Sequence, residues 1–366
     1  MSEDETMTRE PAPTPESVPD MAGSVSPDAE LQKAPEATWK KVLKFVIKFG
    51  VSAGILTYII CTRDIRWQDF KLVNPWCIVA SFFCIYTQLA LTGVRWFTLL
   101  RTAGVNCSFR EAVSLQMQGM FFSQFLPGGS VGGDVVKAGI LATRTPPGGK
   151  FNVVFSIFVD RLCGLGALLI ALLGTCLICH DTIAQFPEGQ RDGLLVMCAV
   201  CGGLLCVVIF VFFSDLLYKV KFFKFFLDIG DRITKDTFKR AAAAMELYRR
   251  SWKLLAGWFV ATTLVFFPIL GLPVWLLANG FEGAPGRSYL SCLMISNVSQ
   301  TIAAIPGSFG GTGTRDIACA EMMTAMGFTD TESGVIPILV TMVTLLVALS
   351  CSVFFVFDRG KRAPKA

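Results

Sequence analysis

Long apolar runs divide most of this 366-residue chain into segments that can each cross a lipid bilayer. A transmembrane helix needs about 20 mainly apolar residues. Six runs reach that length: 42–61, 75–100, 151–179, 193–214, 253–278 and 334–357. The chain is 53% hydrophobic and 17% charged, and a soluble domain cannot cover so much apolar surface. The sequence therefore predicts an all-α integral membrane protein, a polytopic helix bundle.

The two ends of the chain differ in composition from the apolar middle. Residues 1–37 are rich in Pro and acidic residues and have few large apolar side chains, so they cannot offset the entropy cost of ordering. They also lack the basic and apolar regions of a signal peptide. We expect a disordered cytoplasmic tail at 1–37, a membrane domain at 38–358 and a basic cytoplasmic tail at 359–366.

Basic residues predict the orientation of the membrane domain. Lys and Arg concentrate just before the first run, in the segment 215–253 and after residue 358. Because such residues favour the cytoplasmic side, we expect both termini and this segment to be cytoplasmic. The loop 62–74 is basic as well, although the same count places it outside. The remaining loops outweigh this exception.

The segment 215–253 also contains an amphipathic pattern. Apolar residues recur at helical spacing, with Arg and Lys around them, at Phe238, Ala241, Met245, Tyr248 and Trp252. The pattern predicts a basic helix that packs on the bundle or lies among lipid headgroups. A regulatory or partner-binding site is the alternative.

Four weaker apolar stretches form two pairs, and each pair is interrupted by Gly and Pro. They lie at 112–126 with 134–142, and at 289–305 with 317–327. The orientation requires each pair to leave the membrane on the face where it entered, or to cross twice. Both pairs therefore resemble hairpins, one from each face.

The two interruptions have similar sequences. Residues 123–134 and 305–316 both read apolar-Pro-Gly, then a Gly pair, then an acid. Two similar breaks on opposite faces are typical of the inverted repeats of transporters. Irregular backbone at membrane depth lines a wet cavity or is buried in protein, and helix N-termini there favour anions. A pair of ordinary interfacial loops is the alternative.

Charged residues near these breaks and inside one span are candidates for binding substrate. Asp160 and Arg161 lie about ten residues into their span, where a charge is costly unless it is paired or wet. They predict either a structural ion pair or a pair that lines a cavity. Arg95 and Arg101 are interpreted as interfacial anchors. The complete candidate set is Pro127, Gly132, Gly133, Asp134, Lys137, Asp160, Arg161, Pro306, Gly310, Gly311 and Arg315.

Motifs for cofactors and catalysis are weak. Residues 176–180 match the C-x-x-C-H spacing of haem attachment, but they close an apolar span of a chain that has 13 Cys. Gly148-Gly149-Lys150 is followed by Phe, which is not a phosphate-binding loop. We expect no cofactor, no metal and no enzymatic activity.

Several of these features together resemble the lysylphosphatidylglycerol synthase transmembrane family. The similar parts are residues 95–104, the first break at 121–134, Asp160-Arg161 and the second break at 306–313. The resemblance extends over about 42–357 and implies a flippase-like membrane domain. Arg315-Asp316 departs from the Glu often found in relatives, so the roles of these two residues are open. We expect a stand-alone member, because the few residues after Phe357 leave no room for the soluble aminoacyltransferase domain.

The resemblance implies movement of a phospholipid, such as aminoacylated phosphatidylglycerol, or of another lipid-linked substrate between leaflets of the bacterial inner membrane. The alternatives are a membrane subunit of a lipid- or polyprenyl-modifying aminoacyl- or glycosyltransferase, and a scaffold or sensor. The expected partners are the membrane and its lipid, without nucleic acid. A homo-oligomer and a separate soluble transferase are further candidates.

Overall fold

The computed structural model describes residues 54, 57, 60–63, 65–125, 129–146, 149–213, 237–304 and 313–358. These residues belong to one compact unit and are helical apart from short loops. The predicted tails at 1–37 and 359–366 lie outside the described residues, as does nearly all of the first apolar run, 42–61.

Five of the six predicted spans are confirmed as helices long and apolar enough to cross a membrane. They are Pro75–Thr102, Lys150–Ile178, Glu188–Ile209, Trp252–Asn279 and Asp330–Phe357. The weaker stretches are helical as well, in two pairs. The prediction of an all-α polytopic membrane protein is therefore confirmed.

In chain order the helices are α1 (Pro75–Thr102), α2 (Phe109–Phe125), α3 (Gly129–Arg144), α4 (Lys150–Ile178), α5 (His180–Ala184), α6 (Glu188–Phe213), α7 (Thr237–Arg250), α8 (Trp252–Ala261), α9 (Phe267–Asn279), α10 (Tyr289–Ala304), α11 (Thr314–Ala325), α12 (Asp330–Ser350) and α13 (Ser352–Asp358). A π-helical stretch, Thr262–Phe266, joins α8 to α9.

Local sequence explains where two of the long helices begin. The Asn74 side chain accepts a hydrogen bond from the Trp76 amide, and Pro75 occupies the first helical position of α1. Thr329 and Glu332 form a reciprocal capping box at the start of α12. Gly104 ends α1 with φ of 72°, a conformation that glycine adopts without strain.

The first hairpin consists of α2 and α3, which run antiparallel. Glu111 pairs with Arg144 at 2.7 Å at the base, and Gln116 accepts from Lys137 at 3.0 Å further in. The Asn152 amide donates to the Ala103 carbonyl at 2.9 Å, so α4 begins beside the end of α1. The hairpin therefore enters and leaves on one face. Its helices of 17 and 16 residues rise about 25 Å, less than the roughly 30 Å hydrocarbon core.

The second hairpin, α10 and α11, is based on the opposite face. Arg287, just before α10, pairs at 2.9 Å with Glu332 in the first turn of α12. The segment after α9 meets the segment before α1 through an antiparallel bridge between Val73 and Phe281. The base of this hairpin therefore lies beside the start of α1, whereas the first hairpin follows the end of α1.

The two halves of the fold, α1–α4 and α9–α12, run in opposite directions. Val73 meets Phe281 at one end of the α1–α9 pair. At the other end, the guanidinium of Arg95 reaches Thr262 at 3.2 Å. The packing between halves is also reciprocal, because α4 contacts α10 through Asn297 and α2 contacts α12 in one apolar cluster. The predicted inverted repeat is therefore present, with α6 between its halves.

The amphipathic helix predicted within 215–253 is α7, and it packs on the end of the bundle. Ala244 and Tyr248 are buried in the cluster that contains Leu99 and Val153. The Tyr248 hydroxyl donates to the Leu99 carbonyl at 3.1 Å. The expectation of a helix packed on the bundle is confirmed, while 214–236 lie outside the described residues.

Candidate functional site

Three charged side chains meet where the first hairpin approaches α4. One carboxylate oxygen of Asp134 lies 2.6 Å from Nε of Arg161. The other lies 3.1 Å from Nζ of Lys137, one turn further along α3. Because α3 begins only five residues before Asp134, the start of the returning helix places this carboxylate between the two cations. We call Asp134, Lys137 and Arg161 the hairpin triad.

The members of the hairpin triad differ in exposure. Lys137 is 2% exposed, and its ammonium also donates to Gln116 and lies 4.7 Å from the centre of the Trp96 ring. These partners match the three donors of an ammonium group. The side chain of Arg161 is 53% exposed and that of Asp134 is 15% exposed. The hairpin triad thus has one fully buried cation and one cation that faces outward.

Asp160 belongs to a different ion pair, although it is the neighbour of Arg161. Its carboxylate lies 2.8 Å from Nε of Arg95. Consecutive residues of a helix point about 100° apart, so the side chains of Asp160 and Arg161 reach different neighbours. From the sequence, Arg95 was interpreted as an interfacial anchor. That interpretation was wrong, because Arg95 is 5% exposed and its guanidinium is held between α4 and the π-helical stretch.

The second hairpin places Arg315 in a third cluster. The guanidinium of Arg315 donates to Asp316 at 3.2 Å and also to Thr341. Asp316 accepts from the Thr341 hydroxyl at 2.8 Å and from the Gly313 amide at 3.2 Å. Asp316 is 1% exposed. These hydrogen bonds join the start of α11 to the middle of α12.

The hairpin triad and the Asp316 cluster occupy equivalent positions in the inverted repeat. In each half, an Asp near the start of the returning helix bonds to the twelfth residue of the next long helix, Arg161 in α4 and Thr341 in α12. Eleven residues rise about 17 Å, which is about half of a roughly 30 Å bilayer core. With α4 and α12 beginning at the membrane surface, both clusters would lie near mid-depth. The two clusters differ in exposure, because the Arg161 side chain is half-exposed whereas Asp316 is buried.

The remaining candidates have other positions. Gly133 packs directly against Gly119 of the opposing hairpin helix, where a Cβ atom would overlap the Gly119 carbonyl, and Gly132 is partly buried. Pro127, Pro306, Gly310 and Gly311 lie outside the described residues. The structure thus brings Asp134, Lys137 and Arg161 together and places Asp160 and Arg315 elsewhere.

Four residues that complete these clusters were not predicted from the sequence: Trp96, Gln116, Thr262 and Thr341. All four lie in helices where their spacing gives no distinguishing pattern. Gln116 gives no clear signal, since Gln118 and Gln124 lie in the same stretch.

Two segments with C-x-x-C spacing, 176–179 and 198–201, lie in the same apolar cluster where α4 packs against α6. The Cys176 and Cys198 thiols are within hydrogen-bonding reach, and Cys179 and Cys201 belong to the same apolar cluster. Among the described residues, no group of three or more His, Cys, Asp or Glu side chains is arranged to bind a metal. The cysteines here contribute to packing between helices.

Comparison with known proteins identifies the family. The family described as "Lysylphosphatidylglycerol synthase TM region" matches residues 45–351. The chain belongs to this family. A UPF0104 membrane protein of Pyrococcus horikoshii is 22% identical over 297 residues, which cover 79% of this chain and 88% of that protein. No solved structure matches the chain.

Family membership and the apolar helices agree on the general class of protein. This member of the lysylphosphatidylglycerol synthase TM family is a multi-pass membrane protein. Both hairpins and the three charged clusters described above lie inside the matched region. They therefore lie within the part of this chain that matches the family.

Proposed function

We propose that this protein moves a phospholipid, or another lipid-linked substrate, between the leaflets of a bacterial inner membrane. The observation that carries the proposal is the pairing of Asp134 with a half-exposed Arg161 near mid-depth. A charge exposed to hydrocarbon there is costly, and intramembrane charges usually face a bundle interior or a wet cavity. A polar headgroup that passes this point would find hydrogen-bond partners to replace its water.

The inverted repeat supports the same proposal. In transporters of this design, the substrate site lies near the midplane, and one half rocks against the other to open each face in turn. Here the hairpin triad is open while its repeat equivalent at Asp316 is closed. In one state of an alternating-access cycle, two equivalent clusters would differ in exposure in this way.

The family description names a lysylphosphatidylglycerol synthase, and this points to a first substrate to test. Aminoacylated phosphatidylglycerol is a phospholipid with a polar, charged headgroup. We propose that the protein itself carries out transport rather than catalysis, with both termini in the cytoplasm as the basic loops indicate.

The same description favours one alternative, a membrane subunit of a lipid-modifying enzyme. In that case a soluble aminoacyl- or glycosyltransferase would bind the membrane domain. Purification of the tagged protein from its native membrane tests this alternative. A stoichiometric transferase that is needed for lipid movement would support the subunit, and lipid movement by the purified chain alone would support the transporter.

Reconstituted liposomes provide the direct test of transport. Phosphatidylglycerol that is labelled on its acyl chain and lies in the inner leaflet becomes accessible to an impermeant external quencher only when it moves to the outer leaflet. Arg161→Ala should slow this movement at least about tenfold because the outward-facing cation is lost. Asp134→Asn should also slow it, because two neighbouring cations lose their shared carboxylate.

A matched control lies on the same hairpin. Arg144 pairs with Glu111 at 2.7 Å at the hairpin base, and its side chain is 28% exposed. Arg144→Ala removes an ion pair of the same kind outside the proposed site, so movement should continue. Wild-type rates for well-folded Arg161→Ala protein, or an equal loss in Arg144→Ala, would contradict the site assignment.

A further inference from the structure

The charges around the first hairpin do not cancel. Three cations and two carboxylates lie on facing sides of α1, α3 and α4: Arg95, Lys137, Arg161, Asp134 and Asp160. Arg95 and Asp160 neutralise each other at 2.8 Å and are both buried. The hairpin triad is left with two cations and one carboxylate, and therefore has an excess of one positive charge.

The excess positive charge is presented by Arg161. Lys137 is enclosed by Asp134, Gln116 and the Trp96 ring, so no ligand can reach its ammonium. Arg161 uses Nε for Asp134 and Nη2 for the Ser130 carbonyl. A guanidinium has five N–H donors, so the other N–H groups of Arg161 can donate to a partner on its exposed side.

The start of α3 adds to the same field. The helix begins at Gly129, and Ser130 and Asp134, both within its first two turns, contact Arg161. The N-terminus of a helix carries a partial positive charge and unsatisfied amide donors. A cationic group would meet repulsion here, while an anion would meet both the guanidinium and the helix N-terminus.

We propose that the hairpin triad is a binding subsite for one phosphodiester oxyanion of the transported lipid. This inference rests on the proposed function and deepens it. Arg161 contacts the phosphate through its planar fork, which suits two oxygens of one phosphate. Lys137 is a positioning residue, because its buried charge offsets Asp134 and leaves Arg161 with an uncompensated charge. The site thus recognises the phosphate that phospholipids share and leaves the rest of the headgroup free.

Two acyl-labelled lipids test the subsite in liposomes. One is phosphatidylglycerol, and the other is a monoglucosyl diacylglycerol without phosphate. Charged hydrogen bonds contribute enough that the wild-type protein should move phosphatidylglycerol at least about tenfold faster. Arg161→Gln and Lys137→Gln should both remove this preference, whereas Arg161→Lys should keep part of it and Arg144→Gln all of it.

The effect of Lys137→Gln separates positioning from mere structural support. Loss of folding would reduce the movement of both lipids equally, but loss of charge reduces only that of phosphatidylglycerol. A preference that survives in Lys137→Gln would overturn the positioning role. A preference that survives in well-folded Arg161→Gln would overturn the subsite.

The same vesicles separate this proposal from the proposed function. Equal movement of both lipids by the wild-type protein would leave lipid transport standing and remove the phosphate subsite. Movement of neither lipid would remove the proposed function. Free phosphate is the other possible ligand of this subsite, and radiolabelled inorganic phosphate added outside the vesicles tests it. Uptake of this phosphate that depends on Arg161, without lipid movement, would overturn the assignment to a lipid.

Discussion

The Nε atom of Arg95 lies 2.8 Å from the Asp160 carboxylate, and the two side chains are 6% and 3% exposed. The same guanidinium donates to the Thr262 hydroxyl at 3.2 Å. These two bonds therefore join α1 and α4, in the first half of the repeat, to the π-helical stretch that leads into α9 of the second half. Its burial indicates a structural role rather than contact with a headgroup.

Breaking this ion pair should destabilise the protein strongly. Arg95→Met or Asp160→Leu leaves a buried charge without its partner, which typically costs about 3–5 kcal/mol. The double variant removes both charges and should recover most of the stability. Thermal unfolding of the purified protein measures both effects. A double variant no more stable than the single variants would contradict a simple buried pair.

Close packing of the first hairpin predicts opposite effects for two glycines of α3. A Cβ atom at Gly133 would overlap the Gly119 carbonyl, whereas one at Gly139 would meet nothing within 4 Å. Gly133→Ala should cost about 1–3 kcal/mol through overpacking. Gly139→Ala should be neutral or stabilise by up to about 1 kcal/mol, since Ala favours helix. Unfolding of the two variants side by side is the measurement, and equal effects would contradict the observed helix contact.

Much of the fold could be predicted from the sequence because length and hydropathy determine which segments cross a membrane. The hairpins were also predictable, since Pro and Gly interrupt helices and the positive-inside rule constrains where each pair re-emerges. Asp134, Lys137 and Arg161 were identifiable for a similar reason, because charges inside apolar stretches are rare.

The pairing of those charges could not be predicted. Arg95 and Asp160 are 65 residues apart, and their contact depends on how α1 and α4 align. Asp160 and Arg161 are neighbouring charged residues in the same apolar span, so the sequence does not distinguish their environments. Only the packing of the helix shows that Asp160 is buried and Arg161 is exposed. Thr341 gives no sequence signal, because a lone hydroxyl is common in apolar helices, where it bonds to its own backbone.

Orientation in the membrane can be tested with the native cysteines. Cys61 is exposed and adjoins the loop predicted to lie outside, so an impermeant maleimide should label it on intact cells. Cys107 is the internal control because burial, reinforced by the Glu111 carboxylate, raises the pKa of its thiol to about 12. Maleimide needs the thiolate, so Cys107 should stay unlabelled at neutral pH. Peptide mass spectrometry reads both sites, and labelling of Cys61 only after lysis would reverse the predicted topology.

Docking of α7 should weaken at alkaline pH. Burial raises the pKa of the Tyr248 hydroxyl above its ordinary value of about 10. The undocked tyrosine ionises first, so the stabilisation is complete below about pH 10 and is lost as the pH rises further. Tyr248→Phe should cost about 1 kcal/mol at neutral pH through the lost bond to Leu99. It should also remove this part of the alkaline loss.

Hydrogen exchange of α7 across this pH range is the measurement. Because other tyrosines titrate as well, the difference between wild-type and Tyr248→Phe protein isolates the contribution of Tyr248. Identical alkaline profiles for the two proteins would contradict a buried, hydrogen-bonded hydroxyl.

The single helix α6 gives the second half of the chain its direction. Each half contains two full crossings and one hairpin, so it begins and ends on the same face. Two copies of such a half, fused tail to head, would insert in the same sense, and their hairpins would approach from one side. One added crossing inverts the orientation of the second copy in the membrane. A duplicated gene could thus acquire two opposed hairpins by gaining one helix, with neither half rebuilt, and that helix needs only to be apolar and long enough.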